Sequence, residues 1–315
     1  MTIYYAPTAI DLSRLPVPPI IEVLSANGLL KDFIDRFLAF WAEQRLVDPT
    51  LPAFDEQGLQ TNPAIVAGRA WSYLRLLDRQ RVNDGLRALL APLATGANLD
   101  ILVAARNIQR EISAPATSTS AAVMEGDESL LRRFLESFDR LSAGSTAGHL
   151  FEARKAWPQS EDKTLGLWDA RVNGYAVHKR RGDIHLVLIG PFGRLPTVEE
   201  RMLVHEAVHA PAIDKEGVAV YVQAAKRAEY AASLVLEIPP GPDPSLMVAE
   251  AKARVEAVAT ERMRIGGEIP PGLLAGAAYG ASIIKVRDIT PVAIAADPYT
   301  VPVMTSLTIT FEVRL

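Results

Sequence analysis

Leu30, Phe33, Ile34, Phe37, Leu38 and Trp41 recur at i, i+3, i+4, i+7, i+8 and i+11, the spacing that lines up one face of an α-helix. Six large apolar side chains on one stripe oblige that helix to lie against something, because each forfeits roughly 1.5–3 kcal/mol if left in water. The neighbouring sequence offers little cover. Asp11 to Pro19, with Leu15-Pro-Val-Pro-Pro, is expected to be an extended arm, since proline fixes φ and donates no hydrogen bond. Asp48-Pro49 to Gly58 reads as a loop. Asn62-Pro63 then opens a second helix, with asparagine as cap and proline at the first helical position. An ordinary core face is one reading of the stripe. Packing against helices of partner chains is the other, and a helical third entered by a Pro-rich arm favours it. Leu30, Phe33, Ile34, Phe37, Leu38, Trp41, Trp71 and Leu74 are the candidate partner-interface residues.

The pattern continues through Leu77, Val82, Leu86, Leu89 and Leu93 as one long helix or two, bent near Asn83-Asp84-Gly85. Gly96 is placed to end it, and Asn98 to Asn107 reads as a further short helix. Ile112 to Val123, rich in Ser, Thr and Ala and carrying Pro115, is the best linker. Beyond it the character changes. Asp127 caps a helix through Leu141, and Ser142 to Gly148 is a small-residue break before another helix to Ala156. Tyr175-Ala-Val and Ile184 to Ile189 look like the arms of a hairpin around Arg180-Arg-Gly-Asp183. Thr197 and Glu200 form a capping box that opens a helix ending by Pro211. Val218 to Val222 and Glu229 to Ile238 are strand candidates; Ser245 to Met263 is an Ala-rich helix, followed by a short helix near Leu273 to Tyr279. Ile283 to Ile289 and Leu307 to Leu315 close the chain as strands, the last with strict alternation of Leu307, Ile309, Phe311, Val313 and Leu315 against polar residues. The expected class is α+β: a helical N-terminal third followed by two mixed α+β units. The corresponding segments are 1–111 (helical, with the Pro-rich arm), 112–123 (linker), 124–225 (middle α+β domain) and 226–315 (C-terminal α+β domain).

Composition limits what such a chain does. Its 33 basic and 37 acidic residues give a formal charge of −4, with no Lys/Arg run, so nucleic acid is not an expected partner. No cysteine is present, which excludes disulfides, thiolate zinc sites and cysteine nucleophiles and fits a reducing compartment. The start, Met1-Thr-Ile-Tyr-Tyr, lacks the basic and apolar regions of a signal peptide, and no segment is apolar enough for membrane insertion, so a non-exported chain is expected.

One motif suggests catalysis. His205-Glu206-Ala207-Val208-His209 is HExxH, in which two histidines on one helix face bind zinc and the glutamate activates its water. The nearest third-ligand candidate is Glu229, and it falls in a predicted strand, whereas gluzincins present that residue from a second helix. The metzincin continuation fails at Ala212 and Lys215. A zinc-dependent hydrolase using 205–209 is therefore the alternative function, and a solvent-facing helix with two incidental histidines is preferred. His178 and His185 flank the hairpin turn and are expected to form a polar cross-strand pair. Arg132-Arg133, on a helix with Glu136 and Asp139, reads as a solvated face. G-x-S-x-G, Walker and dinucleotide-binding patterns are absent. No cofactor, metal or catalytic residue is assigned.

The order of several segments resembles the baseplate J-like family, the baseplate assembly (wedge) proteins of contractile-tailed phages and tailocins. These are Ile10-Asp-Leu-Ser-Arg-Leu-Pro-Val-Pro18, Leu77-Asp-Arg-Gln-Arg-Val-Asn83, Ala94-Thr-Gly-Ala-Asn-Leu-Asp100 and Val123-Met-Glu-Gly-Asp-Glu-Ser-Leu-Leu-Arg-Arg133. The Leu141 to Ala147 break before Phe151-Glu-Ala-Arg154, and Leu236 to Pro244 before a long Ala/Glu helix, follow in the same order. The resemblance implies a structural, non-enzymatic subunit assembled in the bacterial host cytoplasm and carried in the tail baseplate. Its implied partners are other wedge proteins, further copies of itself, and sheath-initiator and hub/spike proteins, joined into a ring that transmits the contraction trigger. Trp157 to Ala170 is more polar than that family's pattern, and Pro298 to Pro302 makes a longer link to the last strand.

Overall fold

The computed structural model describes residues 18–54, 61–139, 145–211, 213–214, 217–241 and 243–314. Most of the expected Pro-rich arm, the end of the 48–58 loop and the first part of the Ser142 to Gly148 break lie outside the described residues. The described chain divides into two compact units that part between Leu102 and Val103.

The first unit is helical. Helix α1 spans Ala26–Val47, capped by Ser25, whose hydroxyl accepts from the Gly28 N–H. Helix α2 spans Pro63–Leu89, with the Asn62 side chain accepting from the Ala64 N–H and Pro63 in its first turn. α2 is continuous through Asn83-Asp84-Gly85, one helix rather than two. The physical reason is that the buried Asn83 amide is occupied elsewhere. Its Oδ1 accepts from the Glu22 N–H at 3.1 Å and its Nδ2 donates to the Glu22 carbonyl at 2.9 Å, so it does not compete for its own helix backbone. Gly96, at φ +54°, opens helix α3 (Gly96–Ala104) rather than closing α2.

The second unit is mixed. Strands β1 (Ile112–Ala114) and β2 (Val123–Met124), at the two ends of the segment read as a linker, pair antiparallel as a short ribbon. Helices α4 (Asp127–Asp139) and α5 (Thr146–Ala156) follow. The first sheet has the order β3 (Asp169–Asn173), β4 (Asp183–Ile189), β5 (Ala219–Ala224). β3 and β4 run antiparallel; β4 and β5 run parallel, a geometry that requires the crossover supplied by α7 (Val198–Val208). The capping box is present: the Thr197 N–H donates to Glu200 at 2.7 Å and the Glu200 N–H donates to the Thr197 hydroxyl at 3.2 Å. Tyr175-Ala-Val, expected as a strand, lies in a single helical turn, α6 (Tyr175–His178), closed by Lys179 at φ +62°.

The second sheet has the order β7 (Lys285–Asp288), β6 (Lys226–Ile238), β8 (Thr300–Val313). β8 runs parallel to β6 from Lys226↔Thr300 to Ile238↔Val313, so the Pro298 to Pro302 link feeds directly into the strand. Helices α8 (Pro244–Arg262) and α9 (Leu273–Ala278) cover one face. Tyr230, Ala232, Leu234, Leu236 and Ile238 meet Met247, Ala251, Val255 and Leu274 there. A second core lies between α5, α7 and the first sheet. A third, with Val187, Ile189, Met263, Val301 and Val303, joins the two sheets. The architecture is α+β, with a helical N-terminal part followed by small mixed sheets.

Arg133 departs from the solvated-face reading. It is 1% exposed, with Nη1 2.5 Å from Glu125 Oε2 and 3.3 Å from the Gln109 carbonyl. Ser129, Leu130, Arg133 and Ser137 all lie on the buried side of α4. Glu125, just after β2, turns inward beneath them, where it also accepts from the Ser129 hydroxyl and the Glu111 N–H. Burial pushes the Glu125 carboxyl up, and these donors and Arg133 oppose that push.

Candidate functional site

The apolar stripe of α1 is only partly covered within its unit. Leu30, Phe33, Ile34, Phe37, Leu38 and Trp41 are all half-buried. Phe33 lies 6.4 Å from Phe37 and 5.6 Å from Trp71 on α2, and Phe37 lies 4.8 Å from Phe54. Trp41 stacks at 5.9 Å on Phe37, and its indole N–H donates to the Pro52 carbonyl at 3.0 Å. This close approach depends on Gly68: a Cβ there would stand 2.6 Å from Phe33 Cδ1.

The outer side of α2 has no such cover. Trp71 is 41% exposed and Leu74 61% exposed. Val66, Tyr73 and Leu77 fall at i, i+7 and i+11 and are also exposed, as are Val82 and Leu89. Among the described residues from Pro18 to Leu102, the buried hydrophobic side chains are Ile21, Leu29, Ala94 and Leu99 alone. The candidate residues thus separate into a half-covered group, the α1 stripe with Trp71 packed on Phe33, and the open Leu74 on α2. Sequence reasoning missed Val66, Tyr73, Val82 and Leu89 as exposed apolar positions; the i, i+7, i+11 period was the signal that would have found the first two with Leu77.

HExxH occupies the end of α7. His205 is in the last turn and His209 is the residue just past the helix; their ring centroids are 4.1 Å apart. His209 Nδ1 lies 2.9 Å from the His205 carbonyl oxygen, and Glu206 is exposed. Glu229 stands on β6, exposed, with Arg227 3.2 Å away. No group of three His, Cys, Asp or Glu able to hold a metal ion occurs among the described residues. His149 on α5 is buried, and among the described residues neither ring nitrogen has a hydrogen-bond partner. Burial, then the nearby His209, holds this imidazole below its ordinary value, while Asp214 pulls the other way.

His178 and His185 do face each other, with ring centroids 4.5 Å apart, although His178 comes from the turn of α6 rather than from a strand. His185 Nε2 lies 2.5 Å from an Arg180 guanidinium nitrogen and Nδ1 2.9 Å from the Tyr299 hydroxyl. Arg180 is also paired with Asp183 at 3.0 Å across the turn, where Gly182 adopts φ +80°. Among the described residues no helix is long and apolar enough to cross a membrane.

Two similarities to known proteins fit this arrangement. Residues 60–117, which include all of α2, match the model of the baseplate J-like N-terminal domain. Over 301 residues the chain is 27% identical to baseplate protein J of Escherichia phage P2, covering 90% of this chain and 91% of that protein. A domain match over α2 and α3, together with a likeness running nearly end to end, makes the chain similar to baseplate J-like proteins along most of its length.

Proposed function

We propose that the protein is a structural subunit of a contractile-tail baseplate, working as a wedge component that is held by its neighbours rather than as a catalyst. The observation that carries this reading is the uncovered apolar surface of α2, with Leu74 beside Val66, Tyr73 and Leu77. Monomeric soluble proteins keep contiguous apolar surface small, and helices with an open apolar face are typically completed by other helices. The half-buried stripe Leu30, Phe33, Ile34, Phe37, Leu38 and Trp41 belongs to the same surface system and would seal when partner helices arrive.

In this reading the helical unit bundles with other wedge proteins. The α+β unit joins further copies of the chain, the sheath initiator and the hub/spike into a ring that passes on the contraction trigger. Interfaces with two packings, rather than a pocket, are what such a trigger requires. The subunit is assembled in the bacterial host cytoplasm and resides in the tail of the finished particle. Affinity purification from producing cells tests this. Sheath, hub and other baseplate proteins should come with the tagged chain; a stable monomer with no affinity for any tail protein would refute the assignment.

A further inference from the structure

We propose that His185, clamped between Arg180 and Tyr299 and stacked on His178, is a proton-operated tie between the first sheet and the lead-in to β8. A guanidinium only donates, so the 2.5 Å approach of Arg180 makes His185 Nε2 an acceptor. The ring proton therefore sits on Nδ1 and is donated to the Tyr299 hydroxyl at 2.9 Å. A second proton, on Nε2, would set N–H against N–H and place two cations in contact. His178 is held in place through both ring nitrogens. Its Nδ1 accepts from the Arg180 backbone N–H at 3.2 Å, and Nε2 lies 3.2 Å from the Asn173 carbonyl.

The tie spans two sheets. His185 lies on β4, opposite Asn173 on β3, and the Asn173 side chain donates to the Pro298 carbonyl at 2.7 Å. The Tyr299 carbonyl accepts from the Lys226 N–H at 2.8 Å, where β6 begins. Opening the imidazole–phenol bond therefore loosens the point at which β8 enters its sheet. The groups around His185 are His178 from α6, Arg180 and Asp183 from the turn, Tyr221 from β5 at 5.8 Å, and Tyr299, with Asp297 beside it. Burial, His178 and Arg180 hold the imidazole below its ordinary value, and Asp183 alone pulls it back. Above about pH 6.5 the closed and open states are both neutral. As pH falls through that value the open state takes up a proton that the closed state refuses, so acid favours opening.

Hydrogen exchange on the full chain tests the tie at about pH 7.5 and about pH 5, with rates corrected for intrinsic chemistry. Amides from Tyr299 to Val303 should exchange about tenfold faster at the lower pH, while Leu234 to Ile238 in the sheet core keep their protection. His185→Phe should remove the pH dependence. Tyr299→Phe, which keeps the imidazole and deletes its partner, should give fast exchange at both values and covers the case in which His185→Phe fails to fold. Exchange from Tyr299 to Val303 that ignores pH, an acid effect unchanged in both variants, or uniform acceleration across the chain would overturn the proposal.

Discussion

The Phe33 ring on α1 lies 5.6 Å from the Trp71 indole on α2, and the bare backbone of Gly68, one turn before Trp71, makes room for it. A side chain at Gly68 would drive the helices apart. Gly68→Val is expected to destabilise the helical unit by about 1–3 kcal/mol, the usual range for an overpacked contact. Calorimetry should show a lowered transition; an unchanged one would mean that α1 and α2 do not pack as described.

The outer face of α2 should behave in the opposite way. Leu74→Glu combined with Leu77→Glu changes side chains that are already exposed. Stability should move by no more than about 0.5 kcal/mol, as for ordinary surface substitutions. Co-purification with tail proteins should nevertheless be lost. Capture at the level of the unaltered chain would exclude this face as an interface.

Arg133 and Glu125 form an ion pair in which neither side chain is more than 1% exposed. Arg133→Met strands the carboxylate and is expected to destabilise the second unit by about 3–5 kcal/mol. Adding Glu125→Gln should restore a large part of that loss, because the stranded charge disappears. Denaturant titration of the single and double variants measures the coupling, and additive effects would contradict it.

Acid should weaken the α5–α7 core through His149. Its imidazole sits below the ordinary value of 6.5 chiefly because it is buried. Above that value both the folded and unfolded states carry it neutral. Below it the unfolded chain binds a proton that the folded chain refuses, so stability falls until the folded-state value is reached. His149→Phe should flatten this part of the stability profile between about pH 7.5 and about pH 5. A profile with the same slope would show that His149 is not the group responsible.

The polar side chains of the HExxH motif should be dispensable. His205 and Glu206 are exposed, so His205→Ala is expected to leave the melting temperature and recovery of partner proteins as they were. Stoichiometric zinc in the purified chain, lost in this variant, would return the hydrolase reading to consideration.

Short-range periodicity was enough to read most elements, because caps, proline and alternation act within a few residues. The Asn62-Pro63 start of α2, the capping box at Thr197 and Glu200, and the final alternating strand were legible in this way. The helical turn at Tyr175 to His178 was not. Its residues favour strands, and the chain instead turns back at Lys179 and Gly182 so that His178 meets His185.

The amino-acid order by itself determined the α+β class, the apolar stripe from Leu30 to Trp41 and the weakness of the zinc motif, since each depends on local spacing or on residues present or missing. Tertiary structure alone decided that Asn83 is spent on Glu22 and leaves α2 continuous. It also decided that Arg133 is buried against Glu125, and that Leu74 faces outward while the α1 stripe is half-covered and meets Trp71. Those outcomes depend on which distant side chains arrive on the same face, and a helical or strand period records only that a face exists, not what covers it.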